Sequence, residues 1–80
     1  MSQKIKADVS LGRNLKQLRK QHGYTQEQLV AKLQLLNQDI SRSIYSQIEC
    51  GTYNIRVSEL VALQKIYNIS FDAFFDSIEP

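Results

Sequence analysis

Apolar residues recur along this chain at spacings of three and four and nowhere alternate with polar ones, so the regular structure it supports is helical. Leu11, Leu15 and Leu18 follow the four-then-three spacing that lines one helical face, while Arg13, Lys16, Arg19 and Lys20 fall elsewhere on the wheel. Ser10 is a candidate cap for this first helix, and Gly23 supplies the left-handed residue that ends it. Thr25, with Gln28 three residues on, restarts the chain as a capping box. The second helix then buries Leu29, Val30, Leu33 and Leu36, and Leu35 falls off that stripe without explanation.

From Gln34 to Asp39 the period dissolves, which predicts a turn near Asn37 before Ser41 caps a third helix. There Ile44, Tyr45 and Ile48 form a stripe of about 100 degrees, with Arg42, Ser43, Ser46, Gln47 and Cys50 on the remaining surface and Glu49 at the margin. Gly51 stops it. A polar loop of Thr52, Tyr53 and Asn54 leads to a fourth helix with Leu60, Leu63 and Tyr67 on one face and Asn68 as its left-handed end. Ser70 opens a short fifth helix in which Phe71, Phe74 and Phe75 concentrate apolar area and Asp72 complements the dipole. The expectation is an all-α, compact five-helix domain occupying 1–80, with helices at about 10–22, 26–36, 41–50, 58–67 and 71–76.

Eighty residues, 42% of them hydrophobic, suffice for one modest core. Chains this small often rely on a disulfide, a metal or a partner. Cys50 is the only cysteine and His22 the only histidine, which excludes an intramolecular disulfide, a Cys/His zinc cluster and a two-cysteine redox motif. No cofactor is implied. The lone thiol, the absence of a signal peptide and the lack of an apolar run of roughly 18 residues point to a reducing cytoplasm and no membrane. Catalysis has no foothold either, for there is no glycine-rich phosphate loop and no convincing carboxylate pair.

The net charge of +2 says little, but its distribution says more. Residues 1–26 carry Lys4, Lys6, Arg13, Lys16, Arg19 and Lys20 against Asp8, whereas residues 57–80 carry Glu59, Asp72, Asp76 and Glu79 against Lys65. A basic face toward phosphates is one reading, and ordinary solvated helix surface is the other. The third helix adds a sharper signal. Its outer face consists of short hydroxyls, an amide and one arginine, and the DNA major groove, about 12 Å wide, admits one such helix. Arginine can bond guanine bidentately, glutamine can do so with adenine, and serines permit close approach.

The run Gly23-Tyr24-Thr25-Gln26-Glu27-Gln28-Leu29-Val30-Ala31-Lys32-Leu33 resembles the opening of the Cro and lambda-repressor type helix-turn-helix, the xenobiotic-response-element group. Ile40 to Gly51 resembles its recognition helix, and Asn68 to Phe75 its closing helix. The resemblance implies a small bacterial transcriptional regulator, a repressor in the first instance, reading double-stranded DNA as a homodimer in the cytoplasm. It implies base contacts from Arg42, Ser43, Ser46 and Gln47, and phosphate contacts from Gln26, Ser41, Thr52, Tyr53, Asn54 and Arg56. Gln26 would also brace the start of the recognition helix, and the fifth helix, through Phe74, would join the protomers.

The departures matter as well. Gln34 to Asp39 lengthens the usual turn by about five residues, a variation that resembles one branch of the family from low-GC Gram-positive bacteria and puts the angle of the third helix in question. Cys50 stands where the family usually has asparagine, and Ile55-Arg56 replaces a common Pro-Ser pair. A different class of function also fits: a protein-interaction module, such as an antitoxin or regulatory partner, presenting an apolar patch from Leu35, Leu36 and the phenylalanines.

Overall fold

A computed structural model describes residues 8–78 and contains, among them, four α-helices, a closing 3-10 helix and no strand. The helices are α1 (Val9–Gln21), α2 (Gln26–Leu35), α3 (Arg42–Glu49) and α4 (Val57–Tyr67). Lys4 and Lys6 of the basic segment, and Glu79 of the acidic one, lie outside the described residues.

Each start is fixed by a side chain that satisfies amides with no partner inside the helix. Asp8, not Ser10, caps α1: its Oδ1 accepts from the Ser10 N–H at 2.7 Å and the Leu11 N–H at 3.1 Å. Because α1 begins at Val9, Ser10 already lies within the first turn, and the Asp8 carboxylate also complements the dipole. In α2 the Thr25 Oγ1 accepts from the Gln28 N–H at 3.1 Å while the Gln28 Oε1 accepts from the Thr25 N–H at 2.9 Å. Ser41 Oγ accepts from the Ile44 N–H at 3.1 Å at the head of α3. The unusual Ile55-Arg56 pair is accommodated by Glu59, whose Oε1 accepts the Arg56 N–H at 2.8 Å, and by Ile55, which is buried.

α3 packs between α1 and α2, α4 lies against α2, and the 3-10 helix lies against α1. Leu15, Leu29, Leu33, Tyr45, Leu63 and Phe74 are the largest fully buried side chains, so every element contributes to one core. The closest approach is made by glycine. A Cβ on Gly12 would stand 2.5 Å from the Glu49 carbonyl oxygen and 2.7 Å from that of Ile48, so only a residue without a side chain lets α1 meet the end of α3. Gly51 is constrained twice, by a φ of +77° and by Val9, whose Cα would lie 2.7 Å from its Cβ.

The lengthened turn is ordered by its own chain. Asn37 takes the left-handed conformation at φ 63°, the Gln38 N–H donates to the Leu33 carbonyl at 3.1 Å, and the Gln34 amide donates to the Ile40 carbonyl at 3.0 Å. Ile40 then enters the core at 3% exposure, anchoring the chain just before α3.

Three further expectations change. Leu36 is the cap residue of α2 and 39% exposed rather than part of the buried stripe, since the helix ends before its side chain turns inward. The last element, expected as a fifth α-helix over 71–76, is a 3-10 helix at Phe71–Phe75, too short to propagate α-helical bonds. Phe74 is wholly buried in its own protomer and therefore cannot join two copies, whereas Phe71 and Phe75 are 44% and 43% exposed.

Candidate nucleic-acid interface

α3 is held from behind by a charged cluster. The Arg19 guanidinium of α1 grips both oxygens of Glu49, Nε to Oε2 at 2.7 Å and Nη2 to Oε1 at 3.0 Å, and its Nη1 donates to the Tyr24 carbonyl at 2.9 Å. Gln26 adds a third donor, its Nε2 reaching Glu49 Oε1 at 3.0 Å. Arg19 and Glu49 are each 8% exposed, so Arg19, which the periodicity set off the apolar face, and Glu49, which it set at the margin of its stripe, are both buried. Gln26 thus braces the last turn of α3, not its start.

Burial by itself would push the Glu49 carboxyl up, but the interactions with Arg19 first, and then with the nearby Tyr45 hydroxyl and Gln26, outweigh it and hold it below the ordinary value. The Arg19 guanidinium is pushed up in turn, chiefly by its bond to Glu49. A carboxylate in the last turn opposes the helix dipole, and Arg19 offsets that cost while satisfying the desolvated charge. The Tyr45 and Tyr67 hydroxyls beside this pair are buried without a hydrogen-bond partner, and burial is the main cause that pushes both up.

The other face of α3 is open. Arg42, Ser43 and Gln47 are exposed, and Ser46 is half-buried. Arg42 Nε lies 3.8 Å from Glu27 Oε1 across the turn, a solvated pair of small energetic weight. Ser41 is exposed, its oxygen serving the cap described above. At the far end, Thr52 Oγ1 donates to the Gln47 carbonyl at 3.2 Å, tying the following loop to α3. Tyr53 is half-buried, Asn54 exposed and Arg56 half-buried. Cys50 is exposed at the C-cap of α3.

Two of the candidate residues share a groove. Arg42 and Gln26 line, with Lys20, Tyr24, Thr25 and Glu27, an open groove of about 500 Å³ at the start of α2. Helix N-termini attract anions through their free amides and dipole, and Lys20 and Arg42 add positive charge on either side. The sequence placed Lys20 in a basic segment but did not single it out beside Arg42. Its signal was its position on the polar side of α1, a few residues before the glycine turn that opens α2. Among the described residues, no cluster of histidine, cysteine and carboxylates could hold a metal, and no helix is long and apolar enough to cross a membrane.

Two consecutive short helices, the second clamped on one side and polar on the other beside a basic groove, define a helix-turn-helix DNA-binding domain. A family model described as helix-turn-helix matches residues 15–74, and the chain belongs to that family, in its Cro and lambda-repressor type. It is similar in structure to the restriction-modification controller protein C.AhdI from Aeromonas hydrophila, with a TM-score of 0.66 and 27% identity over 84% of this chain and 94% of that one. No match was found among curated proteins. The protein is a DNA-binding transcriptional regulator.

Proposed function

We propose that the chain is a sequence-specific regulator that inserts the segment Ser41–Cys50 into the major groove of double-stranded DNA and has no catalytic activity of its own. The observation that carries this reading is the exposure of Arg42, Ser43 and Gln47 on a helix whose opposite face is fixed by Glu49 and Tyr45. Arg42, Ser43, Ser46 and Gln47 are the base-reading side chains, with Ser46 able to act only at close approach. Gln26 and Ser41 contact one stretch of phosphate backbone beside the Lys20 groove, and Thr52, Tyr53, Asn54 and Arg56 contact another. The closing 3-10 helix takes the place of the fifth helix of the lambda-repressor arrangement.

One short helix reads only a few base pairs, so useful specificity calls for a homodimer on two half-sites about 34 Å apart. The likeness to a restriction-modification controller protein supports a controlling role, which we assign to repression in a bacterial cytoplasm, on the nucleoid when bound. Neither a cofactor nor a small-molecule ligand is part of this reading. The test is fluorescence anisotropy with labelled duplex over a salt series. The logarithm of affinity falls with the logarithm of salt, by a slope of about 0.9 per phosphate contact, and Arg56→Ala lowers that slope by about one unit while weakening all sequences alike. A chain with no duplex affinity even at low salt is instead the interaction module that exposed Leu35 would favour.

A further inference from the structure

Leu35 is 83% exposed, the highest value among the large apolar side chains of the described residues, and neither the core nor the DNA-facing side of α3 uses it. Leu36, beside it, is 39% exposed. The two leucines lie where α2 ends against α4, and two open depressions of about 320 and 550 Å³ meet there, sharing Leu35, Leu36 and Lys65 in their walls. Val61, Ala62 and Ile66 of α4 extend the apolar floor. Among the described residues, the only charged side chains in either wall are Lys32 and Lys65. Lys32 is held at its rim, with Nζ 5.3 Å from the centre of the Tyr24 ring.

We propose that this groove docks an amphipathic helix of another protein, one whose apolar stripe is flanked by acidic side chains. An open depression between two helices, apolar at its floor, fits the face of a helix laid on it, and it is too open to enclose a small molecule. With two lysines as the charges in its described walls, it favours an acidic occupant in approach and in register. A second copy of this chain fits less well. Outside the groove, the large apolar side chains exposed among the described residues are Val9, Val57, Phe71 and Phe75, and of these the two phenylalanines, with Asp72 between them, belong to a five-residue element. None of the groove residues is a candidate DNA contact, so docking and DNA binding are compatible and the proposal does not rest on the DNA reading.

The probe is a fluorescein-labelled synthetic helix with a leucine stripe flanked by glutamates, compared with a twin carrying lysines in their place. Anisotropy is expected to show the acidic peptide binding on the order of tenfold more tightly than the twin. A chain carrying Lys32→Glu and Lys65→Glu reverses that preference, Leu35→Ala weakens the acidic peptide without changing duplex affinity, and amide shifts on peptide addition cluster at Leu35, Leu36 and α4. Equal binding of the two peptides, or shifts centred on Arg42 and Gln47, would overturn the proposal. Sedimentation showing self-association that Leu35→Ala abolishes would also overturn it and assign the groove to a second copy.

Discussion

The two faces of α3 meet opposite demands within eight residues. The inner face carries Tyr45, Ile48 and Glu49, each almost out of water, with the Glu49 charge paired by Arg19 and steadied by Gln26. Outward, Arg42, Ser43 and Gln47 stand in solvent with their hydrogen-bonding capacity directed away from the core. On the proposed reading, change on the inner side is expected to cost folding and to reach DNA only through it, whereas change on the outer side is expected to cost recognition and leave folding alone. A base-reading helix has to be aimed before it can discriminate, and the buried ion pair, reaching from α1 to the end of α3, supplies the aim.

The largest effect that would break this contrast is on the inner side. Glu49→Ala leaves the Arg19 guanidinium buried without its partner and is expected to cost about 3–5 kcal/mol in urea unfolding. Unchanged stability with lost duplex binding would place Glu49 on the DNA side instead. Next comes Gly12→Ala, whose methyl would press on the Ile48 and Glu49 carbonyls. About 1–3 kcal/mol is expected from calorimetry, since the obstacle is backbone and must move as a unit.

Acid sharpens the picture further. The folded-state value of Glu49 is lowered from 4.5, so the stability it supplies is complete above that value and is lost as the pH falls through the lowered one. Thermal unfolding between neutral and acid pH should show this loss, and Glu49→Gln should flatten it. An unchanged acid slope in that variant would mean that Glu49 is not the group responsible. The smallest effect is expected for Tyr45→Phe, which removes a buried hydroxyl that forms no well-shaped hydrogen bond and acts on Glu49 only through proximity, and should change stability by no more than about 1 kcal/mol. A clear destabilisation by chemical unfolding would show that the hydroxyl is hydrogen-bonded in solution.

What could be read from the sequence follows the range of the interactions. The Thr25–Gln28 capping box, the left-handed Gly23, Gly51 and Asn68, and the buried Leu11 and Leu15 depend on neighbours within a turn or so, and they stand as the sequence implies. The Arg19–Glu49 pair spans thirty positions, and each partner viewed alone is an ordinary charged residue at the edge of an apolar stripe. Ile40 and Ile55 belong to the core but lie in connections, where no helical period marks them. Phe74 and Phe75 are neighbours of one type with opposite fates, decided by how the 3-10 helix lies on α1. For the interface, residue chemistry suggested which side chains of α3 face outward. It did not show that Gln26 reaches back to Glu49, or that Lys20 shares a groove with Arg42.

The most direct test of the outer face is selection from a random duplex pool, run in parallel with the wild-type chain and with Gln47→Ala, sequencing what each retains. The account predicts that the wild type recovers a two-fold symmetric site and that Gln47→Ala recovers the same site with the preference at one position per half-site relaxed. Affinity for the wild-type site should be weaker by about 1–3 kcal/mol and the melting temperature unchanged. A variant that weakens every sequence equally, melts at a lower temperature, or keeps the full preference would contradict the assignment of this face to base reading.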